Sequence, residues 1–404
     1  MTEAAVEAKE RVAARTSWGL RRVLALSLGP AVGLGIARFG YALLLPSMRT
    51  DLEWTYAAAG SMNTANAVGY LLGALAAAPL AGRIQVRHAF WIFLLVTVFA
   101  LFASGLTADF TLLLLLRFLA GLGGAVVFVT GATLVSHLGG DSKGGSALAL
   151  GLYFGGVGLG ILITAIGLPA LLAHDVGSWR LVWMMLGLVS FLALFVAGPA
   201  ALRSAEPSGR PAGSRGRLFR ASLLPSLLAY FLFGLGYITY MTFIFAFMRA
   251  QQVSTWQLSL FWALLGASVF VAAFVWRPLI DRARGGAALA TLLVVVALGA
   301  AVPLASTSLT GVLLSGVLFG GSFLSVVSTV TAIVRRSLPA HAWVAGIALY
   351  TIFFSVGQIL GPLLSGALAD VSGDFRSGFL ISAGLLLVAA ALAPFQAEPK
   401  SANG

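Results

Sequence analysis

The sequence predicts an all-α membrane protein in which twelve spanning helices form two repeated bundles of six. Three observations predict it: an extreme apolar composition, the length of the apolar runs, and the placement of the basic residues between them. Of 404 residues, 59% are hydrophobic and only 9% are charged, and the mean hydropathy is +0.98. A water-soluble fold of this size cannot hide so much apolar surface, because its interior is too small relative to its surface. The solvent for most of this chain is therefore lipid. There are no cysteines, which excludes a disulfide framework and a thiolate metal site.

A helix rising 1.5 Å per residue crosses a hydrocarbon core of about 30 Å in roughly 20 residues. Apolar runs of that length fall at 23–47, 56–82, 89–107, 110–136, 144–172, 178–202, 221–248, 256–280, 286–304, 308–334, 342–369 and 376–395. Lipid offers no partner for an unpaired N–H or C=O, so runs this long are helices, not barrel strands. Residues 1–22 are polar, and the first run is too long for the apolar core of a signal peptide, so it is read as a span.

The termini of an even-numbered bundle lie on one side. That side holds nineteen basic residues in its tails, in its loops and at span ends, including Arg83, Arg87, Arg335 and Arg336, against four opposite them: Arg49, Arg180, Arg249 and Arg376. The bias predicts cytoplasmic termini, and it accounts for the net charge of +12 without any nucleic acid. The inner basic residues face anionic lipid headgroups.

The stretch 203–220 (RSAEPSGRPAGSRGRLFR) is polar and rich in Pro, Gly and Arg. It falls after six runs with six to come. The expected layout is a tail at 1–22, a bundle at 23–202, a linker at 203–220, a bundle at 221–395 and a tail at 396–404. The halves repeat at an offset of 197 residues: Gly123-Gly124 matches Gly320-Gly321, and Leu152-Tyr153 and Gly160 match Leu349-Tyr350 and Gly357. Two six-helix repeats around a midplane site are a transporter layout.

Particular motifs carry a resemblance. RFLAGLGGA (Arg117 to Ala125) resembles the fourth-span arginine–glycine motif of the major facilitator superfamily, and GQILGP (Gly357 to Pro362) resembles its glycine–proline motif. LIDRARG (Leu279 to Gly285) is similar to the superfamily's loop motif. In the first copy, LAGRIQVRH (Leu80 to His88), Gly82 stands where the motif has an aspartate. ARFGYALLLPSM in the first span and AGSMNTANAVGYLLGAL in the second resemble, more narrowly, the YbfB/YjiJ-type bacterial permeases. The resemblance implies the major facilitator fold, alternating access and a monomer in the bacterial inner membrane. It also implies gating or coupling roles for Arg83, Arg117, Asp281 and Arg282, with Arg117 alternatively a structural brace between the first and fourth spans.

All thirteen carboxylates fall outside the spans, whereas Arg38 and Arg117 fall inside. Arg38 lies fifteen residues past Val23, about 22 Å into its span. A central arginine costs a few kcal/mol or more to insert, and such residues mark ligand paths by default. Its planar fork suits a carboxylate or phosphate and keeps its charge at any working pH. One reading places Arg38 in a watery passage as the partner of an anionic solute; the other has it bonded to helix carbonyls, Asp51 or Glu53.

Helical spacing supplies the rest of a candidate substrate site: Tyr41 with Arg38, then Asn63, Asn66 and Tyr70 on the second span, and Tyr350, Phe354 and Gln358 on the eleventh. Tyr153, Tyr237, Tyr240, Ser325 and Ser328 complete it, on spans that the resemblance implies line the cavity. The alternative for each is plain helix–helix adhesion, worth about 1 kcal/mol or less per bond. No acid–base pair or base-activated nucleophile sits within a span, which argues against an enzyme. His88, His137, His174 and His341 never pair at ligand spacing, so neither a metal nor another cofactor is expected. The expected function is secondary transport of a small organic solute, anionic in class. Export of amphipathic drugs is the alternative, supported by the cavity aromatics.

Overall fold

The computed structural model describes residues 19–138, 143–205, 221–339 and 342–396. The tail before residue 19, the linker from 206 to 220 and the tail after 396 lie outside the described residues. Among the described residues there is no strand, and twelve helices are long and apolar enough to cross a membrane. They are α1 (Gly19–Asp51), α2 (Tyr56–Ile84), α3 (Val86–Ser104), α4 (Phe110–Leu138), α5 (Lys143–Ala165), α6 (Trp179–Leu202), α7 (Leu224–Ala250), α8 (Thr255–Val275), α9 (Ala287–Ala305), α10 (Leu309–Ser337), α11 (Trp343–Ser372) and α12 (Arg376–Leu392).

Two spans are shorter than the apolar runs imply. Gly167, at φ +75, ends the fifth, and residues Leu168–His174 form a separate short helix. The eighth breaks at Trp276, and Pro278 opens the short helix Arg277–Arg282. Apolar character carries through both breaks, so hydropathy alone cannot register them.

The repeat is visible in the backbone. Left-handed residues occur at Glu53 and Gln252, at Gln85 and Gly285, and at Gly167 and Gly373, in corresponding loops of the two halves. The three non-glycine residues on that list tolerate a conformation costing on the order of 1 kcal/mol, as tight turns between long helices require. Repeat-mates also pack alike: Gly160 of α5 abuts the Ala31 carbonyl of α1, and Gly357 of α11 abuts the Phe231 carbonyl of α7.

Helices α1 and α7 are the most enclosed of the twelve. The outer helices turn large apolar side chains outward, among them Phe99 on α3, Phe195 on α6, Leu298 on α9 and Leu387 on α12, each more than half exposed. That surface suits lipid. The halves meet where α2 packs on α11, α5 on α8, and α1 on α7. At α5–α8 a Cβ on Gly158 would lie 2.4 Å from the Gly266 carbonyl, so the two backbones touch. Close backbone approach replaces the hydrophobic effect as the adhesive between helices in lipid. On the side away from the termini, Asp370 of α11 accepts the Tyr56 and Ala57 amides at 2.7 and 2.9 Å. One half thus caps the positive end of a helix in the other.

Candidate functional site between the two bundles

Helix α1 is not uniformly α-helical. Residues Ala31–Phe39 form a π-helix, closed where the Gly40 amide reaches the Gly35 and Ile36 carbonyls. The glycines that weaken this stretch also let it press on its neighbours: Gly33 faces the Gly124 backbone of α4, and Gly35 faces Gly160 of α5. Arg117 of α4 donates from Nη1 to the Ala37 carbonyl at 2.5 Å and lies over the rings of Tyr41 and Trp183. It braces α1 to α4 at the turn that carries Arg38. Wide turns of this kind occur often at functional sites.

Arg38 points into the seam between the halves. Its Nη2 donates to Gln358 Oε1 of α11 at 2.6 Å, and Gln358 Nε2 donates in turn to the Tyr237 hydroxyl of α7. The guanidinium carbon sits 4.9 Å from the centre of the Tyr70 ring of α2. Beyond it runs an aromatic stack, with Phe354 4.7 Å from Tyr230 and 5.5 Å from Tyr237, and Phe233 4.8 Å from Tyr237. One step away, Asn63 Nδ2 donates across the seam to Thr242 at 2.6 Å.

Arg38 does not stand in a watery passage: it is 4% exposed. Nor is it matched to acid, since Asp51 is taken by Arg180 and Trp179, and no carboxylate pairs with Arg38 among the described residues. Arg38 Nε and Asn63 Oδ1 are buried without a hydrogen-bond partner among the described residues. The arrangement is a closed polar seam holding an uncompensated cation at one end of an aromatic surface.

Several residues expected at the site lie elsewhere. The π-turn breaks the helical register between Arg38 and Tyr41, whose hydroxyl donates to the Ala59 carbonyl of α2. Asn66 donates to the Arg117 carbonyl within the first half. Tyr153 donates to Val127 at 2.9 Å, Tyr240 bonds Ser315 at 2.6 Å, and Tyr350 bonds Ser226 at 2.5 Å; each contact stays within one half. Ser325 is buried, its carbonyl accepting the Thr329 hydroxyl. Ser328 is exposed, turned about 140° along α10 from Phe323, which stacks on Tyr237. Tyr153→Phe and Tyr240→Phe should each cost about 1 kcal/mol of stability, the net value of a buried hydrogen bond. Both should leave ligand response intact, which a melt with and without ligand checks.

Among the described residues, Arg83, Asp281 and Arg282 form no ion pair between the halves. Asp281 pairs with Arg277 in its own short helix at 3.5 Å, both being exposed, a contact worth a few tenths of a kcal/mol. Arg282 and Arg83 are exposed. The tie the motif did not indicate is Arg336 of α10, which donates to the carbonyls of Ile280, Asp281 and Ala283 and so caps that helix. Sequence reading also missed Tyr230, Phe233 and Phe323. The spacing of Tyr230, Phe233 and Tyr237 (i, i+3, i+7) was the available signal for two of them.

Residues 30–394 match the family described as uncharacterised MFS-type transporter YbfB. The inner membrane transport protein YdhP of Escherichia coli K12 is 26% identical over 381 residues, covering 92% of this chain and 94% of that one. Human monocarboxylate transporter 11 is 29% identical over 333 residues, covering 72% and 63%. The multidrug efflux protein YfmO of Bacillus subtilis is 27% identical over 341 residues, covering 74% and 81%. Among solved structures, an inward-facing bacterial homologue of the lysosomal transporter Spinster superposes with a TM-score of 0.71 at 17% identity, covering 95% and 97%. The nucleoside transporter NupG gives 0.70 at 13%, covering 92% and 99%. Twelve spans in two repeated bundles and a match across nearly the whole chain agree: the protein belongs to the YbfB-like family of major facilitator transporters, multi-pass membrane proteins.

Proposed function

We propose that this transporter moves a small organic anion across the bacterial inner membrane by alternating access, with Arg38 as the anion's partner. The termini face the cytoplasm on this reading, as the basic bias directs, and the monomer is the working unit. One observation carries it: Arg38 is buried at the seam and bonded across it to a neutral glutamine instead of a carboxylate. A buried charge is stable only when paired and hydrogen-bonded. A solute carboxylate would supply the missing charge, and the unused Arg38 Nε and Asn63 Oδ1 would supply further contacts. Because Arg38 bonds one half to the other, an anion that displaces Gln358 would also loosen the seam. The name of the human relative, a monocarboxylate transporter, is consistent with such a cargo.

Among the described residues no carboxylate lies in the interior of a spanning helix, Asp51 and Asp370 standing at the ends of α1 and α11, so coupling is by anion exchange or by a proton carried on the solute. A second reading, export of amphipathic compounds, draws support from the Tyr230–Phe354 stack and from the named function of the Bacillus subtilis relative. A melt of the purified protein against organic acids, amino acids, nucleosides and cationic dyes separates the two. A ligand at a hundred times its Kd adds about 2.7 kcal/mol of stability, so organic acids should raise Tm by several degrees. Stabilisation by cationic dyes alone would overturn the anion reading.

A further inference from the structure

On the side away from the termini, a cavity of about 520 Å³ opens between the end of α1, the short helix Leu168–His174 and the end of α7. Ser47, Arg49, Thr50, Tyr56, Asp175 and Arg249 are among its walls. The Arg49 guanidinium stacks on the Tyr56 ring at 3.6 Å, and its Nε makes no hydrogen bond among the described residues. Neither Arg49 nor Arg249 forms an ion pair among the described residues, although Asp175 shares the cavity. The nearby Asp51 is committed to Arg180. The wall therefore carries two fixed cations against one carboxylate.

The placement is as telling as the charge. Arg49 lies eleven residues beyond Arg38 on α1, about 16 Å along the axis. Arg249 lies twelve residues beyond Tyr237 on α7, about 18 Å. The cavity thus stands over the same α1–α7 seam that holds Arg38, and a concave wall with an excess of one sign concentrates counter-ions.

We propose that this vestibule is a second anion site in series with Arg38, which recruits a small organic anion to the mouth of the seam. Its role in transport rests on the reading of Arg38 above, but its test needs neither Arg38 nor a known substrate. The chain has no cysteine, so Thr50→Cys, at an exposed cavity position, gives a single thiol in the full-length purified protein. Its rate of reaction with an anionic thiosulfonate reagent (sulfonatoethyl) is divided by that with a cationic one (trimethylammonioethyl). Any change in thiol reactivity cancels in the ratio. Thr310→Cys, exposed on the same side but outside the cavity, sets the reference.

The ratio at Thr50→Cys should exceed the reference about tenfold at low salt, within the usual range for electrostatic focusing. It should collapse near 1 M salt, where the Debye length is about 3 Å. Adding Arg49→Gln and Arg249→Gln should return it to the reference, and Asp175→Asn should raise it. A ratio at the reference value, one indifferent to the double substitution, or a thiol unreactive to both reagents overturns the proposal. If the ratio holds while Arg38→Gln leaves the anion response intact, the Arg38 reading falls alone. If the ratio fails while Arg38 behaves as argued, only the vestibule falls.

Discussion

Arg38→Gln should abolish stabilisation by organic anions while leaving the ligand-free protein at least as stable as the parent. The two effects have one cause. With no carboxylate partner among the described residues, the buried guanidinium is held by a glutamine and a tyrosine face, so removing its charge relieves desolvation. The same removal strips a bound anion of its counter-charge. Losing one partner of a buried, hydrogen-bonded charge pair costs about 2–5 kcal/mol, or thirtyfold to several thousandfold in affinity. Arg38→Lys keeps the charge but not the fork and should retain a weakened response. The readouts are paired melts with and without the anion, and uptake in proteoliposomes. Unchanged anion stabilisation and transport in Arg38→Gln would remove Arg38 from the binding site.

Gly160→Leu should prevent recovery of folded, monodisperse protein. A Cβ at Gly160 would lie 2.1 Å from the Ala31 carbonyl and 2.8 Å from the Gly35 Cα, and both are backbone. No rotamer change can yield there, so α1 itself must move. Overpacking a core costs about 1–3 kcal/mol when side chains can adjust, and backbone collision exceeds that range. Because the displaced segment is the π-turn, any protein that does fold should also have lost the Arg38–Gln358 contact. Gly82→Leu is the control: nothing lies within 4 Å of that position, and its melt should stay within about 0.5 kcal/mol of the parent. Comparable recovery and stability of the two variants would show that the α1–α5 approach tolerates far more separation than its geometry implies.

The sequence by itself determined the solvent, the number of spans, the repeat and the family. Each is written in composition or in short periodic motifs: lipid demands long apolar helices, and Gly160 and Gly357 stand in matched positions because each must meet a backbone. It also singled out Arg38, Tyr70, Phe354 and Gln358, because a charge or a polar stripe inside an apolar run is visible without coordinates. Only the tertiary structure decided where those groups point. Tyr41 left the Arg38 face because a π-turn changes the angle per residue, and nothing local in the sequence announces that turn. Tyr153, Tyr240 and Tyr350 face backbone or hydroxyl partners within their own halves, a choice made by neighbours more than twenty residues away. Whether Arg38 met water, acid or glutamine was likewise set by a helix 320 residues distant. Local pattern fixes which residues are exceptional, whereas their partners depend on how twelve apolar cylinders rotate against one another, and apolarity alone does not fix that rotation.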